Sequence, residues 1–380
     1  MSDPTVTIYY GPLTWFTDEI GATPHERLMD LVFAREEDRR TVLHRLEGAP
    51  DPGEDPEDAE AARPHRVVAE SGDYASLQEH VITNFAGLVR QLRPHELHLQ
   101  NPPAAVRAQL ERVADVEIKT YPYPRVTKEV VRAVRDGFAD HLVGQAHVKE
   151  SLLAALYPLT RENRSAPIVL MFFGPSGVGK TETAQFVNGL LGGRLLRKQF
   201  SMFHSDKFAS YLFGGTHSEA SLARDLLDRE SGVILIDEFD KANPVFHSAF
   251  YQLFDGGEFE DKNYSVTVGP SLIICTSNYE SVTQVRDALG DALYSRFDAM
   301  IEFKSLSAEQ IDVVIDRLVA DRFTKLDADE SARIDPAEVT ALLKAGASRT
   351  GNVRRLGKFV DELISLMLVR SWTHEEGSPI

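Results

Sequence analysis

The densest chemical signal in the chain is Gly174-Pro175-Ser176-Gly177-Val178-Gly179-Lys180-Thr181. Glycines spaced this way let backbone N–H groups turn inward and cradle phosphate oxygens. The Lys180 ammonium supplies a point charge for the terminal phosphates, and the Thr181 hydroxyl can ligate Mg²⁺. A helix opening near Lys180, with Glu182 in its first turn, aims its positive end at the same place. A second group, Asp237-Glu238, ends the apolar run Val233-Ile234-Leu235-Ile236. Asp237 suits the Mg²⁺ shell, and Glu238 is placed to polarise an attacking water. The competing explanation for this pair is a cap on the next helix. A third run, Leu272 to Thr276, leads into Ser277 and Asn278. The Asn278 amide can orient the water against the γ-phosphate, or can simply form a turn. Cys275 reads as a small apolar packing residue.

These groups need strands and helices to hold them. Ile168 to Phe173 is a continuous apolar run, as expected of a parallel strand buried on both faces. Leu195–Phe200, Val233–Asp237, Leu272–Thr276 and Ala299–Phe303 are further candidate strands, with helical segments between them. That alternation predicts a doubly wound α/β fold with ligands at the carboxyl ends of the strands. The tail reads as helical. Ser307 and Gln310 have capping-box spacing, Asp335-Pro336 opens a helix that stops by Gly346, and residues 352–372 form a last amphipathic helix.

Ahead of the Pro122-Tyr123-Pro124 break, residues 1–125 read as a small α/β domain. Its expected elements are strands at Thr5–Tyr10, Glu96–Gln100 and Val116–Tyr121, and helices at Leu77–Leu92 and near Ala104–Val113. Residues 48–63, rich in Pro, Asp and Glu, read as a solvated acidic loop, with an acidic docking segment as the other option. His65, His80, His95 and His98 lack metal-ligand spacing. The remaining boundaries fall at 126–304 for the α/β domain that carries the chemistry and 305–380 for a helical lid.

With 58 acidic against 41 basic residues, net −17, the chain is a poor sequence-independent binder of nucleic acid. Arg354, Arg355 and Lys358 form only a local basic group. No apolar run reaches the roughly 20 residues needed to span a bilayer. The first residues lack an export signal, and a single cysteine rules out an internal disulfide. A cytoplasmic setting is the expectation.

From His141 to Trp372 the motifs together resemble an AAA+ module, nearest the Clp-type unfoldase branch. GPSGVGKTETA is similar to the family P-loop, ILIDEFDKANP to its Walker B strand and extension, and TSN to sensor 1. His141-Leu142-Val143-Gly144-Gln145 resembles the segment that holds adenine, which implicates Leu142 and Val143. Ala292-Leu-Tyr-Ser-Arg296-Phe-Asp resembles the segment ending in the arginine finger. Gly351-Asn-Val-Arg354-Arg355-Leu resembles sensor 2, with Arg354 favoured and Arg355 the alternative. The resemblance implies ATP and Mg²⁺ as cofactors and a homo-oligomeric ring, a hexamer. It also implies a protein client or adaptor taken through the N-terminal domain.

The departures bear on function. Clp-type modules carry a Gly-Tyr-Val-Gly pore loop after a segment like Tyr211-Leu-Phe-Gly214. Here that stretch runs straight on through Gly215-Thr-His-Ser-Glu219. Tyr211 or Phe213 can substitute, or can pack in the core. The expected function is an ATP-hydrolysing ring that remodels a protein partner. The alternative is a nucleotide-gated assembly switch that threads nothing.

Overall fold

The structure is a computed structural model that describes residues 4–43, 63–202, 205–346 and 352–375. The acidic stretch 48–63 lies outside them except for Arg63, as does Gly351. In chain order the strands are β1 (Thr5–Tyr10), β2 (Glu26–Arg27), β3 (Arg66–Ala69), β4 (Glu96–Gln100), β5 (Val116–Thr120) and β6 (Ile168–Phe173). They continue with β7 (Leu196–Gln199), β8 (Val233–Asp237), β9 (Glu258–Glu260), β10 (Ser265–Thr267), β11 (Leu272–Thr276) and β12 (Ala299–Glu302).

The chain divides into two compact units, and the division is not contiguous. One unit holds residues 1–124, 203–231 and 255–269; the other holds 125–202, 232–254 and 270–380. The sequence alone places one boundary near 125. The structure adds two further segments to the N-terminal unit: Arg224 and Asp228 bond to Ser71, Leu13 and Gln100, and the Ala104 N–H donates to the Asn263 carbonyl.

In the N-terminal unit five parallel strands run in the order β2-β3-β4-β1-β5. Alternation along β1 sends Val6 and Ile8 into one core with Leu28, Tyr74, Phe85, Leu97 and Leu110. Tyr9 points the other way, into a smaller core with Phe16, Ile20 and Val68. Helix Leu13–Ile20 therefore covers one face, and helices Leu28–Leu43, Phe85–Leu92 and Ala104–Leu110 cover the other. The reach from Leu77 to Leu92, expected as one helix, is two, Glu79–Thr83 and Phe85–Leu92. Asn84 breaks them with φ −127° and ψ 42°. Its side chain fills the space that a Cβ on Gly87 would need, 2.5 Å away. Strands β2 and β3 and the helices Leu13–Ile20 and Leu28–Leu43 carry no period that the sequence reading picked out. The antiparallel pair β9–β10 completes this unit.

The second unit contains the predicted doubly wound sheet, in the order β12-β6-β11-β8-β7, all parallel. Every residue of β6, β8 and β11 is buried, which explains their unbroken apolar runs. Each such Leu, Ile or Phe contributes about 1.5–3 kcal/mol by leaving water. Helices Lys128–His141, Ala146–Leu156 and Lys180–Leu191 supply the facing side chains, among them Phe138, Leu152 and Val187. The lid has its own core, in which Ile315, Val339, Leu356 and Val360 meet. Both halves of the Ser307–Gln310 capping box form.

Candidate functional site

A cavity of about 650 Å³ opens at the carboxyl ends of the second unit's strands. The register explains why the polar groups meet there. Gln199 pairs with Asp237, and Thr276 with Phe172, so β6, β7, β8 and β11 end at one level. Of the residues singled out from sequence, Leu142, Val143, Ser176, Gly177, Val178, Gly179, Lys180, Thr181, Glu182, Asp237, Glu238, Asn278 and Arg354 line this cavity. Gly174 and Pro175 do not line it. Their carbonyls accept hydrogen bonds from Lys180 Nζ at 2.6 and 2.7 Å.

Two loop glycines are held for specific reasons. Gly174 has φ +129°, and a Cβ there would lie 2.1 Å from the Phe303 carbonyl oxygen. Gly177 has φ +79°, and a Cβ would strike the Asn352 amide. Its carbonyl accepts from the Val353 N–H at 2.8 Å, which ties the loop to the first turn of the last lid helix.

The acidic pair is built by Thr276. The Thr276 hydroxyl donates to Asp237 Oδ1 and accepts from the Glu238 N–H at 3.0 Å. Arg197, on β7, donates to Asp237 Oδ2 through Nε at 3.0 Å and also through Nη2. Glu238 sits in the left-handed region, φ 57° and ψ 46°, a conformation that costs a non-glycine residue about 1–3 kcal/mol. Its carboxylate accepts from Gln199 Nε2 at 3.0 Å. Hydrogen bonds from Ser201 and Gln199 hold that carboxyl below its usual range.

Lys180 is largely buried, and burial brings its ammonium down to about 8 against the attraction of Asp237 and Asp240. It also donates to Asn278 Oδ1 at 3.4 Å. His141, Leu142 and Val143 form one wall with Leu306, Val314, Leu318 and Val353 of the lid. Arg317 reaches the same wall and donates to the carbonyls of Asp140 and Ala139. Arg355 instead lies over the Phe359 ring at 5.3 Å. Arg296 lies outside the cavity, with its guanidinium 4.2 Å from the Tyr251 ring centre and a hydrogen bond to the Ala292 carbonyl.

Sequence reasoning missed Arg197, Gln199, Thr276 and Arg317 as parts of the site. Arg197 and Gln199 alternate on one face of a candidate strand, which was the available signal. Their meeting with Asp237 and Glu238 depends on strand order, which no spacing encodes. Tyr211, weighed as a substitute pore residue, is buried, and its hydroxyl donates to Asp225 Oδ2 at 2.7 Å. Phe213 is about half exposed. Among the described residues no cluster of His, Cys, Asp and Glu is arranged to hold a metal by itself. None of the described helices is long and apolar enough to cross a membrane.

The sheet and its cavity define a nucleotide-binding P-loop module. Residues 166–324 match the family described as the AAA domain (Cdc48 subfamily). The ATP-dependent Clp protease ATP-binding subunit ClpE of Lactococcus lactis is 27% identical over 301 residues, covering 69% of this chain and 39% of that protein. The chaperone protein ClpB of Bdellovibrio bacteriovorus is 29% identical over 214 residues, 48% of this chain and 25% of that one. Heat shock protein 100 of Trypanosoma brucei brucei is 26% identical, covering 61% and 30%. The chain thus spans between a quarter and two fifths of the length of these relatives. A solved structure of Hsp104 with ATPγS and FITC casein in the closed state shares the fold. Its TM-score is 0.54 at 13% identity, over 96% of this chain and 87% of that one. The matched segment is therefore similar to an AAA domain, and the relatives that share it are Clp-type proteins.

Proposed function

We propose that the chain binds Mg-ATP and hydrolyses it as a subunit of a homo-oligomeric ring, a hexamer, that remodels or disassembles a protein partner in the cytoplasm. The observation that carries this reading is the single cavity lined by Lys180, Thr181, Asp237, Glu238, Asn278 and Arg354. Lys180 places a positive charge against the terminal phosphates. Glu238 is ionised at neutral pH, so it can accept a proton from an attacking water that Asn278 orients. Arg354 brings a cation from the lid and senses the γ-phosphate. A hydroxyl and a buried carboxylate fixed by Arg197 and Thr276 fit a hard cation that keeps most of its waters. Thr181 and Asp237 would hold Mg²⁺, which supplies charge neutralisation on the phosphate oxygens. Arg296 acts on a neighbouring subunit's site, a role supported by its place outside the cavity of its own chain. The N-terminal unit selects the partner. The solved neighbour's title sets Hsp104 with a nucleotide and casein, which agrees with protein as substrate.

Two variants test the chemistry. Lys180→Ala is expected to abolish nucleotide binding in a calorimetric titration. Glu238→Gln is expected to bind with near-normal affinity and to release phosphate at least about 100-fold more slowly. The Glu238→Gln chain should also retain its partner in affinity capture with ATP. Full turnover by Glu238→Gln removes that residue from the catalytic role.

A second reading is a nucleotide-gated assembly or regulatory switch that threads no polypeptide. It is favoured by the burial of Tyr211 and its bond to Asp225 within the N-terminal unit. A partner released folded and undamaged by ATP, with slow hydrolysis, distinguishes the switch from the remodeller.

A further inference from the structure

The five-stranded sheet of the N-terminal unit has a place where a ligand is expected, and a piece of the same chain sits in it. Crossovers leave β1 towards β2 and leave β4 towards β5, in opposite directions across the sheet. They do so on opposite faces, since helix Leu13–Ile20 packs Phe16 and Ile20 against Tyr9 and Val68, whereas Val106 and Leu110 of the β4–β5 crossover join the core on the other face. The crevice beside the carboxyl ends of β1 and β4 is therefore a topological switch point, where open parallel sheets take their ligands.

The occupant is the short helix Leu222–Leu227 with Asp228 after it. Its contacts come from the carboxyl ends of four strands. Beyond β1, the Leu13 N–H donates to Asp228 Oδ1 at 3.1 Å. From β4, Gln100 Nε2 donates to the same oxygen at 3.0 Å. Beyond β3, Ser71 accepts from Arg224: Nε reaches the hydroxyl and Nη2 the carbonyl, each at 3.1 Å. Beyond β5, the Tyr123 hydroxyl donates to the Leu227 carbonyl at 3.1 Å. Leu222, Ala223, Leu226 and Leu227 are buried beneath these polar contacts. Arg229 closes the segment, its guanidinium 3.7 Å from the Tyr123 ring centre and bonded to the Val268 carbonyl.

The arrangement has the chemistry of a recognition site with two subsites. One presents two N–H donors to a carboxylate, and the other presents a hydroxyl and a carbonyl to a guanidinium. The two charges lie four residues apart, one helical turn, so a single helix face carries both. A cavity of about 320 Å³ remains beside the segment, lined by Leu13, Glu70, Ser71, Gln100, Arg224 and Asp228 among others.

We propose that this crevice recognises a helical protein segment bearing Arg and Asp four residues apart, and that the chain fills it with its own Arg224 and Asp228. A partner helix of that pattern competes with the internal one. While the internal segment is seated, Tyr211 stays buried with its hydroxyl bonded to Asp225 of that segment, which withholds this side chain from a substrate.

The test uses the full chain. Arg224→Ala/Asp228→Ala is expected to raise amide exchange at residues 222–228 and at Leu13 by about tenfold or more, with β6 amides unchanged. A labelled peptide of residues 219–231 should then bind that variant, and should bind the unaltered chain at least about tenfold more weakly. A peptide carrying the same two alanines should bind neither. If the double variant fails to fold, Asp228→Asn serves in its place, with the same signs and smaller effects. Unchanged exchange in these variants overturns the proposal. So does a released segment whose crevice binds neither peptide, or binds both equally.

Discussion

Lys180 carries two opposed demands. It must be charged to hold phosphate, yet burial brings its pKa to about 8 from the 10.5 of an exposed lysine. The folded chain therefore binds fewer protons than the unfolded chain between those values. On this account alone, stability rises with pH across that window. Nucleotide binding has the opposite sign, because polyphosphate favours the ammonium. Binding should take up almost no proton at pH 7, about half a proton at pH 8 and nearly one at pH 9, a range above that of ordinary histidines. Calorimetry in buffers of differing ionisation enthalpy measures this uptake. Affinity should weaken as pH rises through 8. Proton uptake that stays flat from pH 7 to pH 9 would show that Lys180 keeps its charge without ligand.

Among the elements, the P-loop shows how sequence spacing and tertiary contact share one residue. The G-x-x-x-x-G-K-T spacing makes Gly174 part of a phosphate cradle. The backbone of Phe303, just past β12, is what forbids any side chain there. Gly174→Ala combines a positive φ with a backbone clash, and neither can be relieved by a rotamer change. It is expected to destabilise the fold by more than about 1–3 kcal/mol and to weaken nucleotide binding as β6 and β12 shift. Gly189→Ala is the control. It lies in the helix that follows, where a Cβ meets nothing within 4 Å, so the change should be neutral or stabilising. Thermal melts with and without ATP separate the two. Equal melting temperatures for both variants would show that the Phe303 contact does not constrain the loop.

For the whole molecule, the trans role proposed for Arg296 would make activity a property of the assembly. Turnover per subunit should rise steeply with protein concentration, because only assembled neighbours complete a site. Arg296→Ala should slow hydrolysis much more than it weakens ATP binding, since the charge it meets develops during transfer. Mixing Arg296→Ala chains with Lys180→Ala chains should restore part of the activity, because some interfaces then hold an intact loop and an intact arginine. If Arg296 serves only to pack on Tyr251, its loss lowers stability and leaves turnover per folded chain nearly unchanged. Concentration-independent hydrolysis with no rescue in the mixture would count against the ring and for the switch.

The sequence by itself determined the second sheet and most of the nucleotide cavity. Strands β6, β8 and β11 are buried on both faces, so they must be apolar runs, and their polar ends announce the chemistry that follows. The helices of the C-terminal region were legible for a related reason, since caps such as Ser307–Gln310 act within a few residues. Tertiary structure decided what depends on strand order and on contacts distant in sequence. Arg197 and Gln199 join the acidic pair only because β7 lies beside β8. The two helices around Asn84 are parted by its non-helical backbone, with its side chain lying beside Gly87. Most of all, the chain from Arg224 to Asp228 belongs with the N-terminal sheet through bonds to Leu13, Ser71 and Gln100. Those partners lie more than a hundred residues away, and each carries an ordinary polar group whose type says nothing about where it will dock.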